Sequence, residues 1–297
     1  AVVYSLESHR FMLVRAKAVI LATGGSGSLH LNGFPSSNHY GSTADGLVLA
    51  YRLGAKMCDL DSFQYHPTGI AYPSHLLGVL VSEAARSSGA KLINGLGERF
   101  VDELKPRDVV AAAILRECDE GRGVARGGEQ GVFLDTPGLE RENPGILEKR
   151  LVTLRHLAEK CGHDPAEEPF IVRPTLHYQN GGVVIDKDGA STVAGLYCIG
   201  ELAGGIHGRN RLMGNALLDI LSMGRRTGAK VAEAASGPLF GRAGIGHVHA
   251  WQRELVNAGL PLHVKAPQLF PTYAHFELRA DAGLSARGSR LTGAGVR

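Results

Sequence analysis

Residues 207–226, HGRNRLMGNALLDILSMGRR, admit few local structures. A turn delivers a guanidinium and an amide side chain, and the chain then enters a helix. Leu217, Leu218, Ile220, Leu221 and Met223 recur at helical spacing, and Asn215 is the expected N-cap. The backbone N–H groups of Ala216 and Leu217 would then lie at the positive end of the helix dipole, a seat for an anion or an electron-rich ring edge. Arg211, one turn upstream, can hold a carboxylate in bidentate fashion beside that seat. Taken alone, the same residues also describe an ordinary amphipathic helix with solvated arginines.

A second constraint is residues 15–28, RAKAVILATGGSGS, a β-branched run ending in clustered glycines. It predicts a buried strand and a loop where backbone approaches a ligand closely, or simply the glycine turn that follows any α/β strand. The 40 glycines among 297 residues suit an α/β chain rich in tight turns, and 44% hydrophobic residues suffice for one large or two modest cores. A net charge of +3 is too mild for a nucleic-acid binder and merely compatible with a small anionic substrate. Cys58, Cys118, Cys161 and Cys198 form no CxxC. They read as buried hydrophobes in a reducing compartment, with no disulfide, metal or iron–sulfur site expected. No apolar run reaches the length of a bilayer span. The chain opens without methionine inside an expected β-meander at 1–14, so a preceding segment is expected.

In chain order, residues 42–54 show a capping signature and an amphipathic helix closed by Gly54, with Asp45 as a first-turn charge. Pro67 restricts His66 to extended backbone, so its imidazole is expected to project from a loop. Glu83 and Arg86 lie three apart on one helix face, where they can pair. A loop is expected at 117–130, a short strand at 133–135 and one helix over 144–161. Strands are expected within 173–185 and 196–199, with a hairpin tip at Lys187-Asp188-Gly189. A helix is expected at 248–258 and loose order over the last fifteen residues.

Several stretches together resemble the flavoprotein family of fumarate reductase and succinate dehydrogenase, which includes L-aspartate oxidase. The run GLYCIGE followed by HGRNRLMGNAL fills every fixed position of the family's flavin-contacting segment. AKAVILATGG, HPTG, SEAARSSG, PRDVVAAAI and PTLHYQNGG follow in family order, and the resemblance covers about residues 17–235. Two departures are Ala44, where the family's T-G-D-G has its first glycine, and Ala216, where serine is usual. A glycine-rich ADP-binding unit and the histidine that carries covalent flavin in some members have no counterpart in these residues.

The resemblance implies an α/β fold: a partial Rossmann-like FAD-binding domain with an inserted α+β capping domain. The implied division is 1–60 and 174–236 for the FAD-binding domain, 61–173 for the capping domain, and 237–297 as a tail without assigned role. FAD is the implied cofactor, contacted by Thr23, Gly24, Gly25, Asp45, Glu201, Asn215, Ala216 and Leu217, with Gly181 and Gly182 packing closely against the flavin. His66, Ser82, His177 and Arg211 would bind the carboxylates of a small dicarboxylate. Arg107 would be the proton donor, with Glu83 and Arg86 returning its proton, because arginine is a poor acid without a relay. The implied reaction interconverts fumarate and succinate by hydride transfer at flavin N5. L-aspartate oxidation remains an alternative that the run DPAEEPF and the following HY also suit, and a non-catalytic flavoprotein fragment or assembly subunit is another. An iron–sulfur or other electron-transfer subunit is the implied partner of a cytoplasmic protein that reaches a membrane only through such partners.

Overall fold

The computed structural model describes residues 1–260 except 6, 9, 30–32, 213, 238–241 and 243. The expected loose order of the last fifteen residues therefore lies outside the described residues. The chain opens with a hairpin of β1 (Val2–Ser5) and β2 (Arg10–Leu13), followed by β3 (Val19–Leu21), α1 (Asp45–Arg52) and β4 (Met57–Cys58). Next come β5 (Phe63–Tyr72), α2 (Ala84–Ser87), β6 (Lys91–Ile93), α3 (Arg107–Asp119), β7 (Val124–Arg126) and β8 (Glu129–Asp135). Helices α4 (Thr136–Glu142), α5 (Ile146–Lys149) and α6 (Val152–Cys161) lead to the long strand β9 (Phe170–Gln179). The order closes with β10 (Gly182–Val184), β11 (Leu196–Cys198), β12 (Ala203–Gly204), α7 (Asn215–Ala234) and α8 (Gly246–Asn257).

The fold is mixed α/β, with two apolar cores. One packs Ile70, Leu92, Ile114, Val132, Leu134 and Phe170 around an antiparallel sheet of order β5-β9-β8-β6, with β7 beside β8. The other gathers Leu47, Ala50, Val183, Leu196 and Leu202 around α1 and the parallel pairs β3–β11 and β10–β12. Strand β9 runs unbroken through position 173, where the implied capping domain was expected to end.

Two prolines shape the β5–β9 pair. His66 is paired with Thr175 and Gly69 with Arg173, so Pro67 and Thr68 together oppose Pro174. Neither proline can donate to the ladder, and the two-against-one count makes a bulge. His66 thus sits within a strand, not on the expected loop, and the bulge turns the Thr68 N–H back toward its ring Nδ1 at 3.3 Å.

Other expectations are corrected by local contacts. Helix α1 starts at Asp45 with no side-chain cap. Its entry residue Ala44 has φ 66° and donates its N–H to Gly25 O at 3.2 Å, which ties it to the loop after β3. Residues 117–130 are no loop: α3 continues to Asp119, and Gly127–Gly128, both with positive φ, turn β7 onto β8 as a tight hairpin. The helix expected over 144–161 is two, because the Leu151 N–H reaches back five residues to Ile146 O in a wide turn. Gly214, with φ 80°, caps α7, so Asn215 is its first residue and no N-cap.

Candidate active site

The bulged β5–β9 pair carries both histidines. His66 is 2% exposed, and its ring centroid lies 5.5 Å from that of His177. Burial is the main force holding the His66 pKa well below 6.5, and the Arg107 charge adds to it. Its Nδ1 accepts the Thr68 N–H, which leaves Nε2 to carry the proton. Burial, then Arg107 and Arg211, lowers His177 to about 4. Its Nδ1 is 2.9 Å from Ser37 Oγ. The segment carrying Ser37 is pinned to β9 by a parallel bridge between Ser36 and Leu176. Both imidazoles are therefore neutral at pH 7.

The guanidiniums come from three other elements. Arg107, the first residue of α3, donates through Nε (3.1 Å) and Nη2 (2.6 Å) to Glu83 Oε2. Glu83 Oε1 lies 3.1 Å from Arg86 Nη2, an ion pair by distance whose angle is too bent for a hydrogen bond. Arg86 is 2% exposed, donates to Glu103 O at 2.7 Å, and has its pKa lowered by burial against the opposing pull of Glu83. Arg86, Glu83 and Arg107 thus form a row ending beside Gln64, whose Oε1 accepts from Arg107 Nη1 at 3.0 Å.

The same Gln64 oxygen accepts from Arg211 Nη2 at 3.1 Å. Arg211 is 5% exposed, its guanidinium lies 4.3 Å over the Tyr178 ring, and its Nε is buried without a hydrogen-bond partner. Burial, followed by Arg107, lowers its pKa. A buried guanidinium with an unused N–H, facing a second cation and two neutral imidazoles, is a site that an anion would complete.

The structure therefore brings His66, His177, Arg107, Arg211, Glu83 and Arg86 together. Ser82 stands apart: it is exposed, and its Oγ takes the Ala84 N–H at 3.3 Å. It joins the group only through its neighbours, Val81 O accepting from Thr68 Oγ1 and Glu83 pairing with Arg107.

The residues expected at a cofactor form a second cluster. Thr23 and Gly24 follow β3, with Gly24 at φ 75°, and a Cβ on Gly46 would lie 1.9 Å from Thr23 Oγ1. Asp45 is exposed beside them and accepts from Thr43 Oγ1 at 2.6 Å. A Cβ on Gly25 would meet Glu201 Oε1 at 2.7 Å, and that oxygen accepts the Gln179 N–H at 2.8 Å. Burial raises the Glu201 pKa. Asn215 and Ala216 are half-buried at the start of α7, whereas Leu217 is exposed and its N–H already reaches Gly214 O at 3.3 Å. That N–H is therefore not the free donor expected of it. Gly181 and Gly182 pack against neighbouring backbone: a Cβ would meet Asp59 O at 1.9 Å and Leu202 O at 2.2 Å.

Residues 1–217 match the FAD binding domain. The chain belongs to the FAD binding domain family. Among its relatives is a subunit of the fumarate reductase (CoM/CoB) of Methanothermobacter marburgensis, 42% identical over 78% of this chain and 42% of the relative. The L-aspartate oxidase of Agrobacterium fabrum is also 42% identical, over 74% of this chain and 40% of its own. A solved quinol-fumarate reductase with menaquinol superposes with a TM-score of 0.74 at 31% identity, covering 87% of this chain and 47% of that one. The chain thus spans less than half the length of the relatives it matches. A further relative, 39% identical over 79% of this chain and 41% of its own, is named the succinate dehydrogenase flavoprotein subunit of Rickettsia felis.

The FAD of this family fits the second cluster. Gly25 and Gly46 let the Glu201, Gln179 and Thr23 side chains pack close against the loop after β3 and the start of α1, and α7 packs through Ile220 against Gly200 in the turn that carries Glu201. Among the described residues, no helix is long and apolar enough to cross a membrane. Gln64, Ser37 and Tyr178 have no assignment from sequence, and Asn210 is the amide side chain that the turn at 207–211 delivers, with no role assigned to it. Gln64 lies two residues before His66, the spacing that puts two side chains on one strand face, and that signal was available once 63–72 is read as a strand.

Proposed function

We propose that this protein interconverts fumarate and succinate, or a related dicarboxylate. The observation that carries the reading is the convergence of two guanidiniums on one neutral oxygen beside two neutral imidazoles. His66 Nε2, His177 and the unused Nε–H of Arg211 supply donors for carboxylates, with Ser82 at the rim. Neutral imidazoles donate without adding charge, so the net attraction for a dianion comes from the arginines. When bound, FAD would supply or accept the hydride at one carbon of the substrate. Arg107 delivers or removes the proton at the other carbon, and Glu83 with Arg86 returns it, since the guanidinium holds its proton too tightly to act alone. The carbanion-like charge that develops is spread toward the carboxylate held by Arg211.

Thr23, Gly24, Gly25, Asp45, Glu201, Asn215, Ala216 and Leu217 would hold the cofactor, the last without a free N–H to offer it. Residues 61–173 act as the cap over this site in the same reading. An electron-transfer subunit, iron–sulfur or other, would exchange electrons with the flavin and link the protein to a membrane. L-aspartate oxidation is the second reading, favoured by the equal identity to an L-aspartate oxidase.

The test is a flavin absorbance spectrum of the purified protein with added FAD, followed by steady-state assays with fumarate, succinate and L-aspartate. Turnover of fumarate or succinate supports the first reading, turnover of L-aspartate alone the second. A bound flavin with no turnover of any of them would refute both.

A further inference from the structure

Gln64 is 3% exposed, and its whole amide is engaged. Its Oε1 accepts from Arg107 at 3.0 Å and Arg211 at 3.1 Å. Its Nε2 donates to the Arg211 carbonyl at 2.6 Å and to Asn210 Oδ1 at 3.0 Å. Asn210 Nδ2 in turn donates to Asp108 Oδ1 at 3.1 Å. Each amide has one workable orientation. Turning Gln64 over would set its NH2 against two guanidiniums, and turning Asn210 would set an oxygen against a carboxylate.

The donors therefore run in one direction, from two guanidiniums through two amides to one carboxylate. Bonds in such a chain polarise one another, so the Asp108 charge makes the Gln64 oxygen a better acceptor. The chain also joins three elements: strand β5, the first turn of α3, and the loop before α7 that carries Arg211. A neutral oxygen holds both cations without discharging either. A carboxylate there would pair with them and compete with any incoming anion.

We propose that Asp108, Asn210 and Gln64 form a polar clasp that positions the Arg107 and Arg211 guanidiniums without adding a counter-charge, so that the Arg211 charge stays open to an anionic substrate while Arg107 keeps Glu83 as its partner. All three are positioning residues, and the anion rests on the dicarboxylate reading above.

The test uses the flavin-loaded protein with succinate as probe, read by calorimetric Kd, by kcat and KM, and by hydrogen exchange of the amides at 209–211. Asn210→Asp sets two carboxylates face to face. It should weaken succinate binding about tenfold, lower kcat about ten- to a hundredfold, and speed exchange at 209–211. Adding Asp108→Asn to that variant restores a donor facing an acceptor and should recover most of each loss. Gln64→Glu keeps an acceptor for both arginines but sets its second carboxylate oxygen against Arg211 O and Asn210 Oδ1, so exchange at 209–211 should quicken while succinate Kd rises more than about tenfold.

Failure of the double variant to recover, or wild-type succinate affinity in Gln64→Glu, would overturn the clasp. Should the unmutated protein bind no dicarboxylate, the functional reading fails by itself. The clasp then stands or falls on whether exchange at 209–211 quickens in Asn210→Asp and slows again in the double variant.

Discussion

His177 offers a measurement that joins burial to chemistry. Its pKa falls from 6.5 to about 4, first through burial and then through the Arg107 and Arg211 charges. Above pH 6.5 the imidazole is neutral in folded and unfolded chains alike, so it adds no pH dependence there. As pH falls below 6.5 the unfolded chain takes a proton that the folded chain refuses, and stability drops until about pH 4, where the folded form also titrates. The gap corresponds to about 3 kcal/mol. Urea unfolding of the wild type and of His177→Gln, followed from pH 7 to pH 4, reads the effect, because titrating groups other than His66 cancel in the difference. Loss of the Ser37 contact shifts the variant by an amount that does not vary with pH. His66 is itself held low partly by His177, so its relief in the variant adds to the difference with the same sign. The wild type should therefore lose about 3 kcal/mol more than the variant across this window. Parallel losses, within about 1 kcal/mol of each other, would refute the buried neutral imidazole and with it the cationic surroundings that hold it neutral.

Other outcomes follow from the same geometry. Arg107→Lys loses the forked contact to Glu83 and Gln64, so kcat should fall by about a hundredfold or more while calorimetry shows dicarboxylate binding retained. Glu83→Gln removes the one carboxylate between Arg86 and Arg107 and should lower stability by about 2 kcal/mol, seen as a fall in Tm together with slower turnover. Gly182→Ala drives a Cβ onto the Leu202 carbonyl and should cost about 3 kcal/mol, read in urea unfolding, with no change in substrate specificity in the material that folds.

Much of the site was legible because it comes in short runs with restricted backbone. HPTG placed His66, the spacing of Glu83 and Arg86 placed a pair, and the PRD start of α3 placed Arg107. Gln64 escaped because His66 was assigned to a loop, where the two-residue spacing has no meaning. The prolines that suggested a loop instead mark a bulge, since Pro67 and Pro174 meet in one irregular step of the ladder. Ser37 carries no local pattern at all. It reaches His177 only because its segment bridges to Leu176 from a distant part of the chain.

The amino-acid sequence by itself determined the helices of apolar periodicity, the glycine turns and the identity of the charged side chains, because these depend on neighbours within a few positions. It was also sufficient to establish the family. Only the tertiary structure decided which groups share a proton, an oxygen or a counter-charge. Those relations depend on burial and on distances of a few ångströms between segments far apart in the chain. The two arginines meet on Gln64 because β5, α3 and the loop before α7 are packed together there, and burial then makes the histidines neutral.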